Sequence, residues 1–276
     1  MDGAANTNSA VIHLTSLVDT ENPFGIPFSE VLPRQIEAVN ERFQSRIHQI
    51  KLLQNRAETG GVKEIRRMED VVPLLFAHTA YKSYPENWLI EQKWDRMGKW
   101  LDTVSTNRGK PMETKDVKGL DDWLERLESQ GHFASCSSGT TGKCAMMNGT
   151  QVDLDMCGQA LLEIIKWTGL KPNHDRRMIN MGQVAATPRN KATGRPMAMA
   201  FSPPDFPPFA PNVPPITIGG IVEMVTLRKK IADGTAKPSE IAHVEEQTKE
   251  REKAIQSTIE QAADALIANR QYPLHI

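Results

Sequence analysis

Residues 133–149 read FASCSSGTTGKCAMMNG, and this stretch decides the local fold that the sequence predicts. Its polar centre combines two glycines, four hydroxyl residues and one lysine: Ser137, Ser138, Gly139, Thr140, Thr141, Gly142 and Lys143. Glycines let a backbone curl so that its N–H groups point inward at an anion. Hydroxyl groups add donors, and a lysine adds a mobile positive charge. This composition is typical of a loop that binds the phosphates of a nucleotide.

The runs on either side of the loop favour an ordered site over a flexible linker. Ser/Gly/Thr clusters are ordinarily linkers, but residues 132–134 and 145–147 are apolar enough to form short strands. We therefore expect a strand, a loop and a second strand. A Walker A loop is excluded, because its register requires Gly and Ser or Thr at the positions of Ser137 and Cys144. The sequence also contains no GxGxxG dinucleotide-binding motif.

Residues 137–143 resemble the phosphate-binding loop of the adenylate-forming superfamily, which includes acyl-CoA synthetases. The form Ser-Ser-Gly-Thr-Thr-Gly-Lys is most similar to the branch of phenylacetate–CoA ligases and acyl-protein synthetases. Residues 76–85, FAHTAYKSYP, are also similar to the helix that precedes the loop in such enzymes. The chain departs from that branch at residues 144–150, CAMMNGT, and Ala145 stands where many members carry a second lysine.

This resemblance implies a two-step reaction and a set of ligands. A carboxylate attacks the α-phosphate of ATP to give an acyl-adenylate and pyrophosphate, and a thiol then takes the acyl group. The implied cofactors are ATP, Mg²⁺ and coenzyme A, the substrate is a carboxylic acid, and the acceptor is coenzyme A or a protein thiol. All seven residues of the loop would bind phosphate, with Lys143 as the catalytic cation. The implied fold is α/β and helix-rich, an incomplete N-terminal domain of an adenylate-forming enzyme.

Motifs that follow the loop in this superfamily are missing from the sequence. None of the three tyrosines begins an aromatic-Gly-x-Thr-Glu segment, and no Thr-Gly-Asp occurs. We therefore expect the N-terminal portion of a longer acid–thiol ligase, incomplete on its own. Two alternatives stay open: an acyl-protein synthetase, and a truncated relative without catalytic activity that acts as a binding or interaction module.

Composition excludes several other classes of protein. The net charge of −1 gives no support to a nucleic-acid surface. The three cysteines are odd in number and lack C-x-x-C spacing, which disfavours a disulfide framework and a structural zinc site. No secretory signal and no run of 18 apolar residues is present, so we expect no membrane span and a cytoplasmic protein.

Apolar periodicity divides the chain into an irregular segment, residues 1–32, and a partial adenylate-forming domain, residues 33–276, with the phosphate loop at 135–145. The spacing predicts helices over 33–57, 69–83, 87–105, 120–129, 152–168, 221–233 and 239–269. It predicts short buried strands over 178–181 and 197–201. The long terminal helix, 239–269, has either a solvated charged middle or a seam for contact with a second copy.

Two further expectations concern a substrate site. His132 lies one strand from the loop, where it either touches substrate or is a hydrogen-bonded structural residue. The turn at residues 216–221 is expected to contribute to the pocket for the acid.

Overall fold

The computed structural model describes residues 9–109, 112–137, 143–181 and 187–275, with the backbone alone at Arg195 and His275. The chain divides into two compact units. Unit 1 comprises Met1–Tyr84 and Arg96–Arg108, and unit 2 comprises Pro85–Asp95 and Gly109–Ile276. The molecule is helix-rich, 62% helical, with small two-stranded sheets, which agrees with a mixed α/β class.

The described elements are as follows in chain order. The helices are α1 (Ala10–Thr15), α2 (Phe28–Arg46), α3 (Lys51–Gly60), α4 (Asn87–Ile90), α5 (Trp94–Val104), α6 (Leu120–Ser129), α7 (Gln151–Trp167), α8 (Pro188–Phe201), α9 (Ile218–Ala232) and α10 (Pro238–Asn269). The strands are β1 (Phe133–Cys136), β2 (Met146–Gly149), β3 (Arg177–Met178) and β4 (Leu274–His275). Short 3₁₀ turns cover Ser16–Asp19, Pro23–Gly25, Met68–Leu74 and His78–Lys82.

The start of unit 1 is helical, so the expectation of an irregular segment over residues 1–32 is wrong for its described part. The Ser9 hydroxyl accepts the N–H of Ile12 and so caps α1. Ser9 also donates to the carboxylate of Glu41 on α2 at 2.6 Å, and the N–H of Ala10 donates to the same carboxylate at 2.6 Å. These bonds, chiefly the one from Ser9, lower the pKa of Glu41.

The helix predicted over 33–57 is two helices, α2 and α3. The side chain of Gln49 donates to the carbonyl of Ser45 at 2.7 Å, which satisfies a terminal carbonyl of α2 and helps to end that helix. Ile50 is extended and begins α3. Phe43, Ala57, Ile65 and Leu74 then form the core of this part of unit 1.

Two other predicted helices of the first half differ from the structure. Residues 69–83 form two 3₁₀ turns, because Pro73 lacks the N–H that would continue an α-helical ladder. The helix predicted over 87–105 is interrupted between α4 and α5, where Gln92 adopts a left-handed conformation with φ of 53°. Such a residue cannot continue an α-helix.

Unit 2 is built on α6, the β1–β2 hairpin and the pair α7–α8. Helices α7 and α8 pack closely at Gly158, where a Cβ atom would lie 2.9 Å from the carbonyl oxygen of Ala192. Trp94 stacks on Trp123 of α6 with ring centroids 5.5 Å apart, and Trp123 is fully buried. The predicted helices 120–129, 152–168, 221–233 and 239–269 agree with α6, α7, α9 and α10 to within three residues.

The strand predicted over 197–201 is wrong, because these residues are the last turn and a half of α8. The Thr187 hydroxyl accepts the N–H of Asn190, and Pro188 begins the helix. The Met-Ala-Met-Ala-Phe alternation therefore does not mark a strand. Among residues 197–201, only Phe201 is fully buried, at 1% exposure. The strand predicted over 178–181 is present in part, as β3 and a parallel bridge from Ile179 to Phe209.

Arg177 holds the end of the chain against β3. Its guanidinium lies over the rings of Phe206, at 4.2 Å, and Tyr272, at 3.4 Å, and donates to the side chain of Asn269. Its backbone N–H donates to Pro273 at 2.8 Å, where β3 and β4 run parallel. Cation–π contact and a hydrogen bond thus fix the segment after α10. Within the described ranges no helix is both long and apolar enough to cross a bilayer.

Candidate functional site

The predicted strand, loop and strand form an antiparallel hairpin. Phe133 pairs with Gly149 and Cys136 pairs with Met146. The pairing extends one step further, since the N–H of Ser137 donates to the carbonyl of Ala145 at 2.9 Å and the N–H of Ala145 donates to the Ser137 hydroxyl at 2.9 Å. Ser137 and Lys143 are the described ends of the loop. The other five candidate residues lie outside the described residues: Ser138, Gly139, Thr140, Thr141 and Gly142.

Residues on the inner face of the hairpin anchor the loop to the core of unit 2. Ala134, Cys144 and Met146 are buried on this face. Buried His132 precedes β1, and its Nδ1 lies 3.0 Å from the amide nitrogen of Asn148 on β2. The bond ties the residue before β1 to the facing strand of the hairpin. These contacts favour the structural interpretation of His132.

The helix that follows the hairpin uses its own residues to satisfy its first turn. The Thr150 hydroxyl accepts the N–H of Asp153 at 3.2 Å, and the Asp153 carboxylate accepts the N–H of Thr150 at 2.7 Å. This is a complete capping box. Two backbone N–H groups at this end of α7 are therefore engaged within the helix itself.

Lys143, the last residue of the loop, is partly buried. Burial lowers the pKa of the Lys143 ammonium below its ordinary value of 10.5, and the charge of Glu86 opposes that shift. Glu86, just before α4, also lies 3.5 Å from the Nζ of Lys229 on α9. The charge of Glu86 therefore acts on both Lys143 and Lys229. A partly desolvated ammonium gains strength as an electrostatic partner for an anion.

Asp121, in the first turn of α6, binds the start of α9. Its Oδ1 accepts the N–H of Gly219 at 2.8 Å, so a carboxylate occupies the positive end of that helix. A Cβ on Gly219 would lie 2.4 Å from the other carboxylate oxygen, and only glycine allows this approach. The charge of Asp121 also acts on Cys136, the last residue of β1.

A groove of about 1050 Å³ lies within unit 2 and includes Asp121 in its lining. Its apolar lining residues come from α4 to α9: Leu89, Ile90, Trp94, Leu120, Val222 and Leu227. Thr217, Gly219 and Gly220 also line it. Residues 216–221 therefore contribute to a cavity, as expected of them, but they do so as the beginning of α9 rather than as a turn.

Three acidic side chains of this groove have a basic side chain beside them. The N–H of Lys118 and, after it, the Arg126 guanidinium at 3.0 Å donate to Asp122 and lower its pKa. Glu240 accepts from Lys230 at 2.6 Å, and its pKa is lowered as well. Glu223 lies 3.1 Å from His243. With two of its carboxylates bonded to basic side chains and apolar residues in its wall, the groove suits a ligand with an apolar body.

Sequence reasoning missed Glu86, Asp121 and Lys229, and it included Gly219 in a pocket-lining turn without predicting its contact with Asp121. In the sequence, Asp121 resembles any acidic residue in the first turn of a helix. Gly219 resembles a flexible residue of a turn. The one signal was local: Thr217 is followed by two glycines, and its hydroxyl caps α9 through the N–H of Gly220 at 3.1 Å. Nothing in the spacing joins positions 121 and 219.

The described residues provide no preformed metal centre. Across the described ranges, no three His, Cys, Asp or Glu side chains are grouped to hold a metal ion. A divalent ion that accompanies a nucleotide takes much of its coordination from phosphate oxygens and water. We therefore assign no residue of this chain as a ligand of Mg²⁺.

We predict that replacing Gly219 with Ala will destabilise the chain by about 1–3 kcal/mol, because the new Cβ must displace the Asp121 carboxylate. Gly194→Ala in α8 is the matched control, since nothing lies within 4 Å of its Cβ position. The control should be neutral or more stable by about 0.5–1 kcal/mol. Urea denaturation followed by circular dichroism measures both, and equal stability of the two variants would show that the approach of Asp121 is not tight.

We also predict that Cys136 will be inert toward thiol reagents. Burial, with smaller contributions from Cys144 and Asp121, raises the pKa of the Cys136 thiol from an ordinary 9.0 to about 12. At pH 8 its reactive thiolate should be about a thousandfold scarcer than that of an unperturbed cysteine. The shift also makes the folded state lose stability as pH rises through 9 toward 12, since the unfolded chain gives up this proton first.

Maleimide labelling with peptide mapping measures this inertness. Cys136 is partly exposed, so it should label slowly in the folded chain at pH 8 and far faster after unfolding in urea, where all three cysteines react. Equal labelling rates for Cys136 in the folded and unfolded chain would contradict the raised pKa of its thiol.

Comparison with known proteins identifies no relative of this chain. Neither the protein-family profiles, nor the curated proteins, nor the solved structures gave a match. The function of the hairpin must therefore be argued from its own residues and their chemistry.

Proposed function

We propose that the hairpin loop binds the phosphates of ATP, as part of an ATP-dependent carboxylic acid–thiol ligase that forms an acyl-adenylate and then a thioester. One observation carries this proposal. A loop rich in Gly, Ser and Thr is closed at its base by two hydrogen bonds between Ser137 and Ala145, and it ends at the partly buried Lys143. A linker needs neither the closed base nor the desolvated cation.

The chemistry of such a loop is electrostatic. Its N–H groups and hydroxyls, at Gly139, Thr140, Thr141 and Gly142, would surround the β- and γ-phosphates while a carboxylate attacks the α-phosphate. Lys143 would offset the charge that develops on the departing pyrophosphate. Removing one preorganised donor of this kind costs about 10²–10³ in rate. Mg²⁺ would be held through the phosphates of the nucleotide, and coenzyme A is the thiol that the resemblance implies.

A groove in the same unit as the hairpin is our proposed position for the acid. Its apolar lining residues suit the body of a carboxylic acid, and Asp121, which borders the groove, also acts on Cys136 through its charge. A volume of about 1050 Å³ is at the upper end of the range for small-molecule sites, so an aromatic or medium-chain acid would fit. An acyl-protein synthetase would use the same first step and differ only in its thiol acceptor.

A second candidate function is a binding module without catalysis. Two observations favour it. The adenine and ribose motifs of the superfamily are missing from the sequence. Ile255 and Ile259 are also exposed, four residues apart on α10, where a second copy or another helix could pack. This candidate predicts no specific nucleotide binding by the loop.

Binding of MgATP and of pyrophosphate to Lys143→Ala tests the proposal. We expect affinity to fall about 10- to 100-fold, because a charge-assisted contact is worth about 1.5–3 kcal/mol. Lys171→Ala is the matched control: Lys171 is exposed, in the same unit, outside the loop and outside the groove. Calorimetry measures both variants, and acid-dependent ATP–pyrophosphate exchange extends the test to catalysis.

If Lys143→Ala and the unaltered chain bind MgATP and pyrophosphate with equal affinity, Lys143 does not contact the phosphates. No binding of either phosphate compound to the unaltered chain would favour the interaction module instead.

A further inference from the structure

Unit 1 contains a cavity of its own, about 460 Å³ in volume, between α3 and the 3₁₀ turn His78–Lys82. Its polar lining residues are Arg56, Thr79, Lys82 and Ser83, and Leu52 and Phe76 are among its apolar ones. None of the described residues that line it is acidic. A cavity of this size with two cationic side chains and no carboxylate in its wall is suited to an anion.

Arg56 is the most informative residue of this cavity. It is partly buried, and its Nε donates to the main-chain carbonyl of Pro73 at 2.8 Å. In the described part of the chain this is the one hydrogen bond of the guanidinium. The bond to Pro73 fixes the orientation of the fork, so its terminal nitrogens can meet a planar oxyanion without first becoming ordered. A guanidinium oriented in this way is a preorganised receptor.

Some of the other lining residues can donate hydrogen bonds to a ligand, and others only shape the surface of the cavity. The hydroxyl of Ser83 is already engaged, since it donates to Ala80 at 2.8 Å and accepts from the indole of Trp100 at 2.9 Å. Ser83 therefore forms part of the wall. Thr79 offers a hydroxyl, and Lys82 adds a second positive charge. Leu52 and Phe76 provide apolar surface beside these polar groups.

We propose that this cavity binds a small organic oxyanion, with the anionic group on Arg56 and an apolar body against Leu52 and Phe76. The proposal is independent of the hairpin loop, because every lining residue belongs to unit 1 and the hairpin belongs to unit 2. A carboxylate and a phosphate monoester share the chemistry that a guanidinium fork recognises. A cation of the same shape is excluded by the charge of the wall.

Fluorine NMR of three probes with one aromatic body tests this site: 4-fluorobenzoate, 4-fluorophenyl phosphate and 4-fluorobenzylamine. At least one anion should bind ten times more tightly than the amine, and raised salt should weaken that binding. The two anions distinguish carboxylate from phosphate ligands. Equal binding of all three probes would overturn the proposal, because apolar contact alone would then explain it.

Variants assign the binding to the cavity. Arg56→Gln should weaken anion binding at least tenfold, with folding checked by circular dichroism because the bond to Pro73 is also lost. Lys82→Gln is the second variant and should weaken binding at least threefold. Lys51→Gln removes the same charge from an exposed position on α3 outside the cavity and should leave binding unchanged. Two results together would show that the cavity is not the site. The Lys82 and Lys51 variants would bind the anion equally well, and Arg56→Gln would fold and keep its full affinity.

Discussion

The hydrogen bond from the Gly219 N–H to the Asp121 carboxylate, at 2.8 Å, is the interaction on which the architecture of the candidate site depends. It joins the first turn of α6 to the first turn of α9, and its carboxylate also influences Cys136 at the end of β1. A carboxylate at a helix N-terminus is stabilised by the N–H groups and the dipole there. The same contact requires glycine at position 219, since any side chain would meet the carboxylate. This contact joins two helices of unit 2, and Asp121 and Gly219 both line the groove.

The hairpin is a second fixed element of unit 2. Its base is closed between Ser137 and Ala145, and its inner face is buried through Cys144 and Met146. The loop residues between are then held at both ends by ordered backbone, which lowers the entropic cost of arranging donors around an anion. At the start of α7, the N–H groups of Thr150 and Asp153 are engaged by the capping box. Lys143 supplies a positive charge at the end of the loop, and the charge of Glu86 acts on it.

Local sequence signals predicted local structure well and distant contacts not at all. The hairpin followed from two apolar runs around a Gly/Ser/Thr loop, and α6 and α10 followed from their 3–4 spacing. The errors have local physical causes. Pro73 lies where an α-helix was predicted, and the structure has 3₁₀ turns there. Residues 197–201 were predicted as a strand but end the helix that Thr187 caps. Gln92, in a left-handed conformation, divides another predicted helix. The pairing of Asp121 with Gly219 spans 98 positions, and no periodicity encodes it. Whether the loop binds phosphate remains a prediction from composition and resemblance.

The most direct test of the central claim is a titration of the isotope-labelled chain with pyrophosphate, followed by the backbone amide shifts in two-dimensional ¹⁵N–¹H NMR spectra. Sulfate at equal ionic strength is the control, because it carries less charge and cannot bridge the loop. The account predicts saturable shifts concentrated at residues 137–145, with pyrophosphate and not with sulfate. Shifts of equal size for both anions, or saturable shifts confined to residues outside the hairpin, would contradict it.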